Sequence, residues 1–403
     1  MSTSILYHGW GVRGYVCERS KFVEGGLVFH LRQKAQLRCP VCRSARVIGR
    51  GTVERRFKAV PIGLKPVTLV LPVQRVECRV CQTVRQVEVQ FADVRRTYTK
   101  GLERYAVELC RVATIQDAAR HLGISWDTVK EMEKRYLQRA FGAPSLRDLR
   151  AMAIDELYLG KSGKFITIVL DLESGVIVHV GQGKGAEALR PFWKRLRRAG
   201  AIIQAVAMDM SPAYIAAVTE HLPGAALIFD HFHVVQLFNR KLSDLRRDLY
   251  REATEKLQKQ VLKGTRWLLL KRPDHLDPAK DEAQRLHEAL ALNEPLSTAY
   301  YLREELSEFW KQPDKALAAS FLQDWINRAF TTGVRILCDI ARTLAGYRSG
   351  LLAYYDFRLT TAKLEGTNHK IRTLQSRAYG YRDMDFFTLK LYSLHRTKYA
   401  LVG

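Results

Sequence analysis

The chain has 403 residues, 65 of them Lys or Arg and 41 Asp or Glu, for a formal net charge of +24. That length exceeds one core, so two to four domains are expected, and 47% hydrophobic residues exclude global disorder. The charge surplus is more than solubility needs and has the sign that attracts a polyanion such as nucleic acid; no run of about 18 apolar residues could span a bilayer, and no long basic amphipathic helix stands apart to favour a membrane surface.

The opening "MSTSILYHGWGVRGY" lacks the charged-then-apolar layout of a secretory signal, so a cytosolic protein is expected. Of seven cysteines, four form two close pairs, "CPVC" (Cys39, Cys42) and "CRVC" (Cys78, Cys81), while Cys17, Cys110 and Cys338 are scattered. This usage suits a reducing compartment and a metal better than a disulfide framework. The 35 residues between the pairs read as strands, "RVIGRGTVERRFKAVPIG" and "PVTLVLPVQRVE". Hairpins that bring the pairs together supply four soft ligands in a tetrahedron, which favours Zn²⁺ in a structural role because no position is left open for water. Four unligated core cysteines and a redox CxxC are the alternatives, and the second lacks a thioredoxin-like βαβ pattern nearby.

In "YAVELCRVATIQDAARHLGISWDTVKEMEKRYLQRA" apolar residues recur at helical spacing through Ile115, Ala118, Ala119 and Leu122, break at Gly123, and resume at Ile124, Val129 and Met132. Small Ala119, turning Gly123 and packing Val129 fit a helix-turn-helix, with a plain helical hairpin as the alternative. Ser125 can cap the second helix, leaving Trp126, Asp127, Thr128 and Lys130 near its exposed start; Ser125, Trp126, Thr128 and Lys130 are the expected DNA-binding residues.

From "LRAMAIDELYLGKSGKFITIVLDLESGVIVHVGQGKG" three strands are read as a β-meander. A helix "AEALRPFWKRLRRAG", a strand "AIIQAVAMDMS", a helix "PAYIAAVTEHLPG" and a strand "AALIFDHFHVVQ" running into a helix follow. The order β β β α β α β α is that of a ribonuclease H-like domain. Asp155 interrupts the first strand and Asp209 ends the fourth, positions where Asp has poor β-propensity and an ionised carboxylate is costly to bury without a cation. With the first and fourth strands as neighbours the two carboxylates can converge; two satisfied polar side chains at strand ends are the plain alternative. Asp230, His231 and His233 in "DHFH" follow the fifth strand and are expected beside the site.

From about Asn239 to Arg348 the texture changes to long charged helices, with eleven Arg or Lys and four acids between Arg240 and Arg272. Trp267, Trp310 and Trp325 and leucines at helical spacing predict a helical subdomain with its own core. Beyond it, in "LEGTNHKIRTLQSRAYGYR", Leu364, Ile371 and Leu374 lie on one side of a helix while Glu365, Asn368, His369 and Arg372 recur at i, i+3, i+4 and i+7 on another. Such a helix can present Glu365 to Asp155 and Asp209, with Asn368 and His369 adjacent. Lys370, Arg372, Arg377 and Arg382 follow as DNA-phosphate contacts, and Tyr379 and Tyr381 either stack on bases or pack in a core.

Taken together, "IDELYLGKSGKFITIVLDLESG", "VAMDMSPAY", "IFDHFHVVQ" and "EGTNHKIRTLQSRAYGYR", behind a zinc ribbon and a helix-turn-helix, resemble the bacterial DDE transposases of the insertion-sequence family ISL-three over nearly the whole chain. The resemblance implies that Asp155, Asp209 and Glu365 are the catalytic triad, holding Mg²⁺ (or Mn²⁺), and that the region 240 to 350 is a helical insertion before the last catalytic helix. It departs in "TTAK" ahead of Glu365, where a Ser/Asn-rich approach is the pattern.

The expected fold class is α/β, a ribonuclease H-like catalytic core with a helical insertion, preceded by a zinc-ribbon-like domain and a helix-turn-helix. The expected division is 1–97 zinc-binding, 98–142 helix-turn-helix, 143–239 catalytic core, 240–349 insertion and 350–403 the last part of the core. The expected partners are double-stranded DNA, as transposon ends and target, and a second copy in a homodimer, because two ends must be paired; the expected place is the bacterial cytoplasm, with the nucleoid. A non-catalytic DNA-binding regulator and a structure-selective nuclease on the same fold are the rival functions.

Overall fold

In the computed structural model the described residues are 4–34, 36–160, 164–229, 231–254, 262–263, 265–271, 273–291, 293–359 and 362–396. The chain forms two compact units, Met1–Ala143 with Gln375–Gly403, and Pro144–Leu374.

In the first unit a short helix α1 (Ile5–Trp10) precedes a five-stranded sheet. Strand β1 (Tyr15–Val23) pairs antiparallel with β2 (Gly26–Gln33), which runs parallel to β4 (Lys65–Cys78); β4 pairs antiparallel with β3 (Val47–Ile62) and with β5 (Val84–Gln86). The β3–β4 hairpin turns at Gly63, whose φ of 57° is the left-handed conformation that glycine adopts without a Cβ clash. Alternation sends Phe57, Leu69, Leu71 and Val73 into a core filled by Trp10, Phe29 and Phe91. The Trp10 indole donates to the Val60 carbonyl at 2.8 Å. Because the hairpin register pairs Val47 with Cys78, the segment before β3 and the end of β4 lie side by side, and the two cysteine knuckles with them.

Helices α2 (Lys100–Val112), α3 (Ile115–Leu122) and α4 (Trp126–Phe141) follow, each started by a hydroxyl cap. Thr99 accepts the Leu102 N–H, Thr114 that of Asp117 and Ser125 that of Thr128. Gly123 closes α3 at φ 60°, and Ala118, Ala119 and Val129 bury together, as the spacing predicts. The helix Met384–Ser393 also belongs to this unit, burying Phe386 and Leu389 against Leu137 of α4. Lys390 on it forms an ion pair with buried Glu133 of α4.

The second unit is built on a sheet of order β10-β9-β6-β7-β8. Strands β6 (Ala151–Tyr158), β7 (Phe165–Asp171) and β8 (Ile177–Gln182) form the expected antiparallel meander, whereas β9 (Ala205–Met208) runs parallel to β6 and β10 (Ala226–Phe229) parallel to β9. The first and fourth strands of the meander reading are therefore neighbours. Helices α5 (Arg190–Ala199) and α6 (Pro212–His221) cover the sheet through Phe192, Trp193, Leu196, Tyr214 and Val218.

From β10 the chain enters α7 (His231–Glu252) and then the helices Glu282–Ala291, Glu294–Leu306, Lys315–Thr331 and Arg335–Gly346. The expectation of a separate helical core is corrected here. One continuous buried cluster runs from Met152, Val206 and Met208 of the sheet through Phe238 of α7 to Leu322, Trp325 and Ile340. The helix Arg348–Leu352 contributes to that continuity, since a Cβ on Gly350 would lie 2.3 Å from the Phe229 ring, and only glycine admits so close an approach. Of the three tryptophans read as core, Trp325 is fully buried and donates to the Leu302 carbonyl, Trp310 is partly buried, and Trp267 is 66% exposed under the Arg266 guanidinium.

Candidate catalytic site and nucleic-acid interface

The parallel register of β6 and β9 pairs Ala153 with Ala207. Asp155 and Asp209 each stand two residues beyond that pair, Asp155 within β6 and Asp209 just past the end of β9, near enough for the charge of Asp209 to act on the Asp155 carboxyl. Both are half-buried. Asp155 Oδ1 accepts its neighbour Glu156 N–H at 2.8 Å, and Asp209 Oδ1 accepts the Ser211 N–H at 3.1 Å just ahead of α6.

Glu365 occupies the first turn of the helix Ala362–Arg377. Leu364 and Ile371 fix that helix by burial, and Lys363 ties its start by donating to the carbonyls of Leu172 and Glu173 at 2.7 and 3.1 Å. One turn beyond half-buried Glu365, on the same face, Asn368 Nδ2 donates to Asp155 Oδ2 at 2.8 Å. Thus the helix that carries Glu365 applies its polar face to Asp155. His369, Lys370 and Arg372 are exposed, as are Arg377 and Arg382. Thr360 and Thr361 of "TTAK" lie outside the described residues.

Burial lifts the Asp155 carboxyl above the usual carboxylate range; the Asn368 amide, the Glu156 N–H and the nearby His233 ring oppose that rise, and the charge of Asp209 adds to it. His233 lies in the first turn of α7, and His231 packs its ring against Trp310 at 4.3 Å. Asp230 lies outside the described residues. Asn368 Oδ1 is buried without a hydrogen-bond partner, on the amide whose nitrogen holds Asp155. Carboxylate and amide oxygens are hard donors of the kind Mg²⁺ or Mn²⁺ takes, but the oxygens of Asp155, Asp209 and Glu365 do not all gather within 4.8 Å of one another in this structure.

One network was not foreseen from sequence. The Tyr214 hydroxyl donates to Glu156 Oε1 at 2.6 Å, the Gly185 N–H reaches both at 3.0 and 2.9 Å, and Thr167 Oγ1 lies 3.0 Å from the tyrosine oxygen. It pins the residue next to Asp155 on β6. Its signal was present in "DMSPAY" as a tyrosine five residues past Asp209, in the first turn of α6, but nothing local named Glu156 as its partner.

Cys39, Cys42, Cys78 and Cys81 bring their sulfurs within 4.8 Å of one another, the one such group of ligating side chains among the described residues. The Cys39–Cys81 and Cys42–Cys78 separations of 3.5 and 3.4 Å are too long for disulfides and near the ~3.8 Å that sulfurs 2.3 Å from a tetrahedral zinc keep. The N–H groups of Val41 and Val80 point at Cys39 and Cys78. The Cys42 backbone amide helps hold the Cys39 thiol down at about 6, near the thiolate that a metal takes. Four thiolates with no open position fit structural zinc.

At the helix-turn-helix, Ser125 and Thr128 are occupied with the cap, their hydroxyl oxygens 2.7 Å apart, and Trp126 is exposed. Lys130, expected to reach DNA, is instead held by Asp383 at 2.9 Å. Tyr381 packs on Phe387 with ring centroids 4.6 Å apart, whereas Tyr379 is fully exposed.

A family model described as "Transposase" (DDE, ISL3) matches residues 152–391, "Helix-turn-helix domain of transposase family ISL3" matches 87–137, and "zinc-finger of transposase IS204/IS1001/IS1096/IS1165" matches 35–81. The chain belongs to the ISL3 family of DDE transposases. It is 32% identical to the transposase for insertion sequence element IS1001 of Bordetella parapertussis over 95% of each chain. It is 25% identical to the transposase for element IS1557 of Mycobacterium tuberculosis (strain CDC 1551 / Oshkosh), over 86% of this chain and 82% of that one. Among solved structures, the Drosophila P element transposase strand transfer complex aligns over 75% of this chain and 92% of that one, with a TM-score of 0.37 and 11% identity. No helix among the described residues of the transposase is long and apolar enough to cross a membrane.

Proposed function

We propose that the transposase binds the terminal inverted repeats of its insertion sequence through the zinc ribbon and helix-turn-helix, cleaves DNA at the element ends, and joins those ends to target DNA. The second unit is read as a ribonuclease H-like core, a reading supported by the β10-β9-β6-β7-β8 order with one antiparallel meander and two parallel additions. Residues 143–239 and 350–403 are taken as the two parts of the catalytic domain and 240–349 as a helical insertion, behind 1–97 and 98–142. The protein is taken to act at the nucleoid in the cytoplasm as a homodimer that pairs two ends.

Asp155, Asp209 and Glu365 are the proposed catalytic triad. The observation that carries this reading is the Asn368–Asp155 hydrogen bond, which joins the face of the Glu365 helix to the strand pair holding both aspartates. These three carboxylates would hold Mg²⁺ or Mn²⁺, which when bound supply activation of a water or 3′-hydroxyl and stabilisation of charge on the leaving oxygen. Asn368 fixes the orientation of Asp155, and the Tyr214–Glu156 contact keeps β6 from shifting. Exposed Lys370 and Arg372, on the same helix as Glu365, neutralise phosphates beside the scissile bond. In the first step a water oxygen attacks phosphorus, loses a proton and remains on the 5′-side phosphate, while the 3′-oxygen departs and takes a proton; in the second, that 3′-hydroxyl loses its proton, attacks phosphorus of a target phosphodiester and expels the target strand's 3′-oxygen, which takes a proton. Of the basic residues read as DNA contacts, Arg377 and Arg382 are exposed and available, and Trp126 offers an open ring at the start of α4.

The test is purified protein with end-bearing duplex, a target plasmid and Mg²⁺ or Mn²⁺. Strand-transfer products support the reading and distinguish it from a nuclease. Specific binding with no cleavage under either metal overturns it in favour of a regulator.

A further inference from the structure

Helix α4 presents Lys130 and Lys134 one turn apart, and both ammonium groups reach the carboxylate of Asp383, at 2.9 and 3.0 Å. Asp383 sits just ahead of the helix Met384–Ser393, where its Oδ1 also accepts the Phe386 N–H at 2.9 Å. All three side chains are only a quarter to a third exposed. They line a pocket of about 490 Å³ whose further walls include Arg95 and Arg96, from the segment before α2, and Thr128 at the start of α4.

The charges in that pocket are unequally committed. Glu131 is paired with Arg96 at 3.8 Å, Asp127 stands in the first turn of α4, and Arg95 extends into solvent. Within that pocket, Asp383 is the acid that holds two cations. Two lysines a turn apart, clamping one singly charged oxyanion, are equally suited to a phosphodiester, which carries the same charge on two oxygens. Their helix is the second of the helix-turn-helix, the element that lies against DNA in that motif.

We propose that Lys130 and Lys134 form a seat for one backbone phosphate of end DNA, and that Asp383 fills this seat in the DNA-free protein. The proposal rests on the reading of α2–α4 as an end-binding module. Binding of an end exchanges one anion for another at the two lysines, so the seat adds little to affinity while Asp383 competes for it. Removing the competing charge unmasks the contact.

The experiment is equilibrium binding of a fluorescent end duplex to the full chain across a series of salt concentrations. Asp383→Asn keeps an oxygen to cap the Phe386 N–H but loses the charge, and Asp383→Ser is a second neutral cap. Either variant should bind the duplex about tenfold more tightly, the order of one charge-assisted contact. The slope of log affinity against log salt should steepen by about 0.9, the increment for one more neutralised phosphate. Adding Lys130→Gln and Lys134→Gln to Asp383→Asn should erase both gains. Unchanged or weaker binding by both neutral variants, with thermal melts showing them folded, overturns the proposal and leaves Asp383 a clasp for its helix. Wild-type protein that binds no end duplex overturns the end-binding reading itself.

Discussion

Asn368 Nδ2 lies 2.8 Å from Asp155 Oδ2, joining two positions 213 residues apart in the chain. The amide selects one orientation of the carboxylate and leaves its own oxygen buried and unpaired at the same spot. Groups that orient a metal-holding side chain typically contribute a factor of about 10–100 to metal affinity or activity. Asn368→Ala should therefore lower end cleavage by about that factor while end binding stays as in the wild type. Wild-type cleavage by this variant, in a gel assay at saturating protein, contradicts the positioning role.

The placement of the candidate side chains on their strands and helix was legible in sequence because it follows short-range rules. An Asp inside an apolar strand, another at a strand end, and a polar stripe at i, i+3, i+4 and i+7 fixed Asp155, Asp209 and the Glu365–Asn368 face without reference to the rest of the chain. The cap at Ser125 is of the same kind. What stayed hidden depends on contacts between distant segments. Nothing near Asp383 announces that it meets Lys130, since the pair is set by how Phe386 and Leu389 pack on Leu137. The helical region read as self-contained because its periodicity is regular, yet its apolar faces continue the core of the sheet. Trp267 has the composition of a core residue and the position of a surface one.

Tyr214 offers a test of the scaffold. Its hydroxyl donates to Glu156 at 2.6 Å, and burial pushes its own ionisation well above the ordinary tyrosine value. Tyr214→Phe leaves a partly buried carboxylate short of a donor, which costs about 1–3 kcal/mol. The melting midpoint of the second unit should fall, as followed by calorimetry. A midpoint equal to wild type would show that Glu156 finds water instead.

The four cysteines make a separate prediction. Cys42→Ser, or a strong chelator, should release zinc and loosen the segment 39–81, and binding of end DNA should fall with it. Zinc content by atomic emission and end binding by anisotropy are the two readouts. Full zinc and full binding in Cys42→Ser are incompatible with a four-sulfur site.

Asp383 predicts a pH dependence with a definite sign. Partial burial would raise its carboxyl, but the Phe386 N–H and the Lys130 and Lys134 ammonium groups outweigh that and hold it well below the ordinary range. A depressed carboxyl stabilises the fold fully above its unfolded value, about 4, and loses that contribution as the pH falls towards the folded value. The wild type should thus melt above Asp383→Asn at pH 7, and the gap should narrow below about pH 4. A gap that stays constant down to about pH 2 contradicts the pairing.

The central claim is that Asp155, Asp209 and Glu365 act as one metal-holding site on end DNA. The most direct measurement is end cleavage by Asp155→Asn, Asp209→Asn and Glu365→Gln, each run beside end binding by the same preparation. The account predicts that all three bind as the wild type does and that cleavage is lost in each. Wild-type cleavage in any one of them contradicts it.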